Sequence, residues 1–250
     1  MKWLLFVLLL SACAFGQAFQ YYYQYTPYPS NFTPKNITGL YAWYDASDAS
    51  TITKDGSNFV SQWDDKSTQA NPLAQSTASR QPLYSASSFN SKPSITFDGQ
   101  SASNGDYLIT NNNFGVTTVP YTLFIVMSPL RSSSEDDIMN FGNQYMSIVS
   151  TLAMRWGTFG VGSASAGNNS VAVNGLYYLS ITKDGSSNIT LYINGISSAT
   201  SNRSTSITGK FYLGGYTGVS NNANVRVSEI LVYNTLLSTA DRQKVESYLK

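Results

Sequence analysis

The stretch "KPSITFDGQSASNGDYL", Lys92 to Leu108, opens on a run in which Ile95 and Phe97 alternate with the polar residues Ser94, Thr96 and Asp98. Side chains along an extended chain point to opposite faces with a period of two, so this run reads as a half-buried strand. Asp98-Gly99 is turn chemistry: the aspartate bonds nearby backbone amides and the glycine tolerates a left-handed backbone. Small polar residues then lead to a second strand start at Asp106-Tyr107-Leu108. Three roles are open to the two aspartates: turn anchors, metal ligands, or hydrogen-bond partners for a sugar.

The same punctuation extends in both directions. "GLYAWYDA", "YTLFIVMSP", "YMSIVSTLAMRW", "GLYYLSITKDG", "ITLYINGI", "KFYLGGY" and "VRVSEILVYN" are strand-like runs, and Asn-Gly, Asp-Gly and Gly-Gly turns separate many of them. In "SITKDGSSNITLYINGI" the pairs Leu179-Ile181 and Ile189-Leu191-Ile193 flank a bend at Lys183-Asp184-Gly185, the signature of a hairpin. Many short strands without helical periodicity between them predict an all-β fold, a two-sheet antiparallel sandwich. The end departs from this pattern. In "LLSTADRQKVESYLK", Ser238 stands three residues before Asp241 and good helix formers follow, which predicts a short C-terminal helix over Thr239 to Leu249.

Composition agrees with this reading. Of 250 residues only 12% are charged, against about 25% in an average soluble domain. Aromatics make up 14%, and Tyr is the commonest of them. The formal net charge is +1 with no basic stripe, so nucleic acid and anionic lipid are not expected partners. Residues 1–16 have the shape of a secretory signal peptide: Lys2, an apolar run from Trp3 to Leu10, then small residues. The run is too short to span a bilayer. Two processing routes compete, ordinary cleavage before Gln17 and lipidation at Cys13 within "LSAC". The first predicts a secreted protein without cysteine and hence without disulfides; the second predicts a lipid-anchored one at the cell surface. Residues 17–38, rich in Tyr, Gln and Pro, read as a linker or tether, and 39–250 as a single domain. Sequons at Asn31, Asn36, Asn168, Asn188 and Asn202 are no more than the Asn and Ser/Thr content explains.

The blocks "LYAWYDASD", "VSQWDDKS", "QPLY", "NSKPSITFDGQ…DYL" and "VSEILVYNTLLSTADRQKVESYLK" occur in the order found in laminin-G-like domains, and the chain from Gly39 to Lys250 resembles that group of the concanavalin A-like lectin/glucanase superfamily. The resemblance implies a jelly-roll of two curved antiparallel sheets, often a carbohydrate-binding or adhesion module, with calcium at one rim in some members. Lectins, glucanases and scaffolds share this fold, so it does not fix function.

Chemistry narrows by elimination. The absence of histidine removes His-based nucleophilic triads and His-ligated zinc, and the lone Cys13 lies in the signal region. Glycoside hydrolysis needs two carboxyls across the scissile bond. In the laminarinase-like branch these come from a Glu-x-Asp-x-Glu strand, and Glu135, Glu229 and Glu246 each stand without a second Glu at that spacing. The expectation is therefore a non-catalytic protein. For calcium, Asp98, Asn104 and Asp106 offer oxygen ligands, with Asp64-Asp65 in another block; no other cofactor is expected. For a glycan, Trp156, Arg155, Tyr145 and Asn143 (with Gln144) are expected to form a patch on the curved sheet. Tyr216, near Asn221, Asn222 and Asn224, adds a loop contact. Trp43 and Trp63 are assigned to the core. Two functions follow, a carbohydrate-binding or adhesion module, or a structural protein of an extracellular coat, fibre or virion with protein assembly partners, and behind them stands a third, a glycoside hydrolase.

Overall fold

The computed structural model describes residues 31–250 apart from 90, 101–103, 117–119, 133–134, 161, 203–206 and 217–220. The expected signal peptide, Cys13 and residues 17–30 of the expected tether lie outside the described residues.

The alternating runs form strands in chain order: β1 (Leu40–Asp45), β2 (Ile52–Lys54), β3 (Val60–Trp63), β4 (Leu73–Ala74), β5 (Leu83–Phe89) and β6 (Lys92–Asp98). Next come β7 (Leu108–Thr110), β8 (Phe114–Val116), β9 (Tyr121–Pro129), β10 (Glu135–Phe141), β11 (Gln144–Val149), β12 (Met154–Thr158) and β13 (Gly162–Ser165). The last are β14 (Tyr177–Lys183), β15 (Asn188–Ile193), β16 (Ile196–Asn202), β17 (Ile207–Gly209), β18 (Phe211–Leu213) and β19 (Asn224–Tyr233), followed by the helix α1 (Thr239–Tyr248).

These strands build an antiparallel sandwich. One sheet has eight strands, ordered β16-β15-β14-β9-β19-β6-β5, with β1 also paired to β19. The other has nine, ordered β13-β12-β11-β10-β18-β7-β4-β3-β2, and β17-β8 forms a small third sheet. The predicted hairpin is β14-β15, with Leu179 opposite Ile193 and Ile181 opposite Leu191. Asp184 fixes its bend by accepting from the amides of Ser186 and Asn188 at 2.9 and 2.8 Å. In the opening stretch, Ile95 and Phe97 are fully buried in the sandwich core, and Gly99 adopts φ 65° directly after the strand.

Inward-facing residues of both sheets fill the core, among them Tyr44, Trp63, Phe97, Leu123, Ile125, Phe141 and Phe211. Phe141 and Phe211 stack with centroids 4.4 Å apart. β9 is buried along its whole length. Its Leu123 and Ile125 face the main core, whereas Phe124 and Val126 face a second cluster with Trp43, Leu231, Tyr233, Val245 and Leu249. That cluster seats α1 on the outer face of the eight-stranded sheet, which explains why a strand from an antiparallel sheet reads as a continuous apolar run. Ser238 caps α1 by accepting from the Asp241 amide at 3.1 Å, as its sequence spacing predicts. Phe32 and Ile37, in the stretch expected as tether, pack against this second cluster, and Tyr233 donates to the Pro34 carbonyl at 3.0 Å. The described part of that stretch is thus folded onto the sandwich. Among the described residues no helix is long and apolar enough to cross a membrane.

Candidate functional site

The outer face of the nine-stranded sheet is built by alternation from β10, β11, β12 and β18. In β12, Met154 and Trp156 face the core, so Arg155 and Gly157 face outward. Arg155 lies opposite Ser147 and Gly157 opposite Tyr145, which places all four on the outer face. In β10 the register shifts between Asp137 and Met139, a bulge that turns both Ile138 and Met139 into the core. Strict alternation is broken there, and Glu135, Asp137 and Asn140 share the outer face. Asn140 stands opposite Tyr145 on one side and Tyr212 of β18 on the other. Neighbouring strands are about 4.8 Å apart, so an amide lies between two tyrosines in one lateral row.

The polar atoms of this face are incompletely satisfied. Asn140 is 0% exposed, and neither its Oδ1 nor its Nδ2 has a hydrogen-bond partner. Asp137, 3% exposed, leaves Oδ1 without a partner, and Asn222 and Arg155 do the same at Oδ1 and Nε. Most buried polar groups in folded proteins are paired, because an unpaired one costs about 1–3 kcal/mol. Burial, reinforced by the charges of Glu135 and Asp136, pushes the Asp137 carboxyl up to about 7. Glu135 accepts from Ser147 Oγ at 3.1 Å and lies 3.9 Å from the Arg155 guanidinium.

A cavity of about 310 Å³ opens on this face, lined by Glu135, Asp137, Tyr145 and Phe159 among others. Phe159 is 47% exposed and stacks on Tyr145, with centroids 4.7 Å apart. Gly157 makes room for Tyr145: a Cβ there would lie 2.8 Å from the tyrosine hydroxyl. Further along the sheet, Tyr212 contacts Tyr216 edge-on at 4.7 Å and Tyr107 at 6.4 Å. Two aromatic groups, Phe159–Tyr145 and Tyr216–Tyr212–Tyr107, thus flank Asn140 on this face.

Of the residues expected to meet a glycan, Tyr145 and Arg155 are on this face and Tyr216 joins it through Tyr212. Asn143 is exposed in the turn between β10 and β11, where its carbonyl accepts from the Phe159 amide at 3.0 Å. Trp156 is a correction. It is 0% exposed, and its indole N–H donates to the Tyr121 hydroxyl at 3.1 Å inside the core. β12 pairs with β11 without a bulge, so its consecutive residues Arg155 and Trp156 point to opposite faces and do not both belong to the patch. Gln144 likewise is buried, bonded to Thr158 at 3.0 Å. Sequence reading missed Asp137, Asn140, Phe159 and Tyr212. A strand drawn over Glu135–Phe141 would have placed Glu135 and Asp137 on one face, but the bulge that adds Asn140 leaves no local signal.

Asp98 and Asp106 are brought together. Asp98 Oδ1 accepts from the amides of Gln100 and Asp106 at 3.1 and 3.2 Å, and Asp106 Oδ2 accepts from the Asp98 amide at 3.3 Å. Burial and then the Asp98 charge push Asp106 up to about 7. Asn104 is exposed. Asp65 anchors a loop, accepting from the amides of Trp43 and Ser67 at 2.9 and 2.8 Å. Among the described residues no group of three or more His, Cys, Asp or Glu is placed to hold a metal.

A second cavity, about 330 Å³, lies on the other sheet beside the end of α1 and contains Asp45 and Glu229, register partners across β1-β19. Its carboxyls are served by the protein: Trp43 Nε1 and Tyr248 Oη each donate to Glu229 at 2.8 Å, and Lys66 reaches Asp45 at 2.9 Å. The face with unsatisfied atoms is therefore the stronger candidate.

No family model and no curated protein sequence matches the chain. Solved structures do. The chain is similar to Trypanosoma rangeli sialidase in complex with sialic acid at TM-score 0.56 and 12% identity, over 84% of this chain and 33% of that one. It is similar to the binding domain of Paraclostridial Mosquitocidal Protein 1 at TM-score 0.59 and 16% identity, over 84% of this chain and 52% of that one. The binding domain of Botulinum Neurotoxin DC in complex with SialylT gives TM-score 0.60 and 11% identity, over 85% and 52%. The chain spans about a third of the sialidase and half of each binding domain. At these identities the likeness is one of β-sandwich fold.

Proposed function

We propose that the protein is a carbohydrate-binding module of the laminin-G-like type that holds a glycan on the outer face of its nine-stranded sheet without catalysis. The observation that carries this reading is Asn140, a buried amide with both polar atoms unpartnered, flanked in register by Tyr145 and Tyr212. Sugar hydroxyls donate and accept, as an amide requires, and pyranose faces stack on aromatic rings. The glycan-bound sialidase and neurotoxin binding domain support the reading by fold alone. Asp98 and Asp106 have the role of fixing their turn, and a thermal shift on adding calcium would replace that role with metal binding. The module is secreted or surface-attached; mass spectrometry of the mature N-terminus distinguishes Gln17 from a lipidated Cys13.

Glu135 and Asp137 favour a second reading, hydrolysis, since they share one face and Asp137 is raised to about 7. Reducing ends released from a polysaccharide by wild type, but not by Asp137→Asn, would establish it. Titration of oligosaccharides against wild type and Asn140→Ala tests the leading reading: saturable binding weakened in the variant is expected, and equal binding by both would remove the site.

A further inference from the structure

Among the described residues, the cavity on this face is lined by two carboxyl side chains, Glu135 and Asp137, and by no lysine or arginine. The Arg155 guanidinium stands 3.9 Å from Glu135 and, among the described residues, forms no other ion pair. The remaining charged neighbour, Asp136, is held on the opposite face of β10 by Arg131 at 2.6 Å. Asp137 Oδ1 has no partner, and the Asn221 carbonyl is occupied by the Asp137 amide at 2.7 Å. Of the unpartnered atoms on this face, Asp137 Oδ1 and Asn140 Oδ1 call for donors, whereas Asn140 Nδ2 and Arg155 Nε call for acceptors. Hydroxyl and ammonium groups donate. A carboxylate accepts only, and on this face Glu135 and Asp137 outnumber the one guanidinium, Arg155, in a site of reduced dielectric.

Resting on the carbohydrate reading above, we infer that the site selects amino sugars with a free ammonium group over neutral sugars, and neutral sugars over sialic or uronic acids. The ammonium is placed against Asp137 and Glu135 while the ring lies on Tyr145 and Phe159. The preference therefore runs opposite to the sialic acid and SialylT of the sialidase and neurotoxin complexes, to which the chain is similar in fold.

The test is calorimetric titration of the full chain with a β-1,4-linked glucosamine oligomer, a cello-oligosaccharide of equal length and sialyllactose. A charge-assisted hydrogen bond corresponds to about tenfold in affinity, so the glucosamine oligomer should bind about tenfold tighter than the neutral one. Sialyllactose should bind more weakly than both. Asp137→Asn and, independently, Glu135→Gln should weaken binding of the glucosamine oligomer by more than they weaken binding of the neutral one, closing the difference between the two. Tyr145→Ala should weaken both, which separates a sugar site from diffuse attraction of a polycation. Equal affinity for amino and neutral oligomers, stronger binding of sialyllactose, or an amino preference that survives both carboxyl variants would overturn the inference while leaving the carbohydrate reading intact. Absence of binding to any of the three would remove that reading and this inference together.

Discussion

The ring of Phe159 lies against that of Tyr145, with centroids 4.7 Å and planes 28° apart, and it is the more exposed of the two. Stacking contacts of this kind are worth about 0.5–1.5 kcal/mol beyond area burial. Phe159→Ala should therefore weaken oligosaccharide binding by up to about tenfold with little change in melting temperature.

Gly157 gives a separate handle on the same platform. Alanine there would place a Cβ 2.8 Å from both the Tyr145 hydroxyl and Ser163 Cβ, so the tyrosine ring must shift. Gly157→Ala should lose binding while retaining the sandwich, as read by circular dichroism and by binding to the same oligosaccharide. Unchanged affinity would mean that the position of Tyr145 does not matter.

Trp156 predicts the opposite behaviour. It fills the core and holds the Tyr121 hydroxyl, so Trp156→Ala should cost about 3–5 kcal/mol of stability in urea denaturation. Trp156→Phe, which keeps most of the volume, should cost less and leave sugar affinity unchanged. A sugar-binding defect in a stable Trp156→Phe protein would return this residue to the site.

The strand pattern was readable because alternation, turn pairs and the Ser238 cap are local properties. β14-β15 and α1 stand where the residues place them. The site was only half readable. Tyr145 and Arg155 are legible as polar and aromatic residues of the curved sheet, but Trp156 is not, because one step along β12 from Arg155 reverses the face. Asn140 reaches its place through a bulge and through pairing with β18, more than seventy residues away, and no local pattern encodes either. The apolar run of β9 and the packing of Phe32 and Ile37 likewise depend on a second core that α1 completes from the far end of the chain.

That second core is clamped by a buried ion pair. Glu246 accepts from Arg242 on the same helix and from Ser180 Oγ at 2.7 Å, while the Arg242 guanidinium lies 3.8 Å from the Tyr192 ring centroid. Removing one partner of a buried pair leaves the other charge uncompensated, at a cost of about 3–5 kcal/mol. Arg242→Ala should lower stability by that amount and expose the helix to proteolysis, whereas a melting temperature equal to wild type would show that the pair does not hold α1.

Glu229 couples the same region to pH. Burial, then the charge of Asp45, pushes its carboxyl from 4.5 to about 7, against the lowering effects of Tyr248, Trp43 and Lys66. The folded state therefore binds a proton that the unfolded state releases, and its contribution to stability is complete below about 4.5 and lost as pH rises through about 7. Denaturation across that window should show stability falling with pH, with a slope of at most ~1.4 kcal/mol per unit from this group. Glu229→Gln should flatten part of the slope; a variant with the wild-type slope would contradict the assignment. Asp106 and Asp137 contribute with the same sign, so the slope should not vanish.

The proposed sugar site is the outer face of β10 and β11. Backbone amide shifts of the full chain, recorded while a glucosamine oligomer is titrated, test this most directly. The predicted result is saturable shifts concentrated at Asp137, Asn140, Tyr145, Phe159 and Tyr212. Shifts confined to the cavity around Glu229 and Tyr248, or none at saturating sugar, would contradict it.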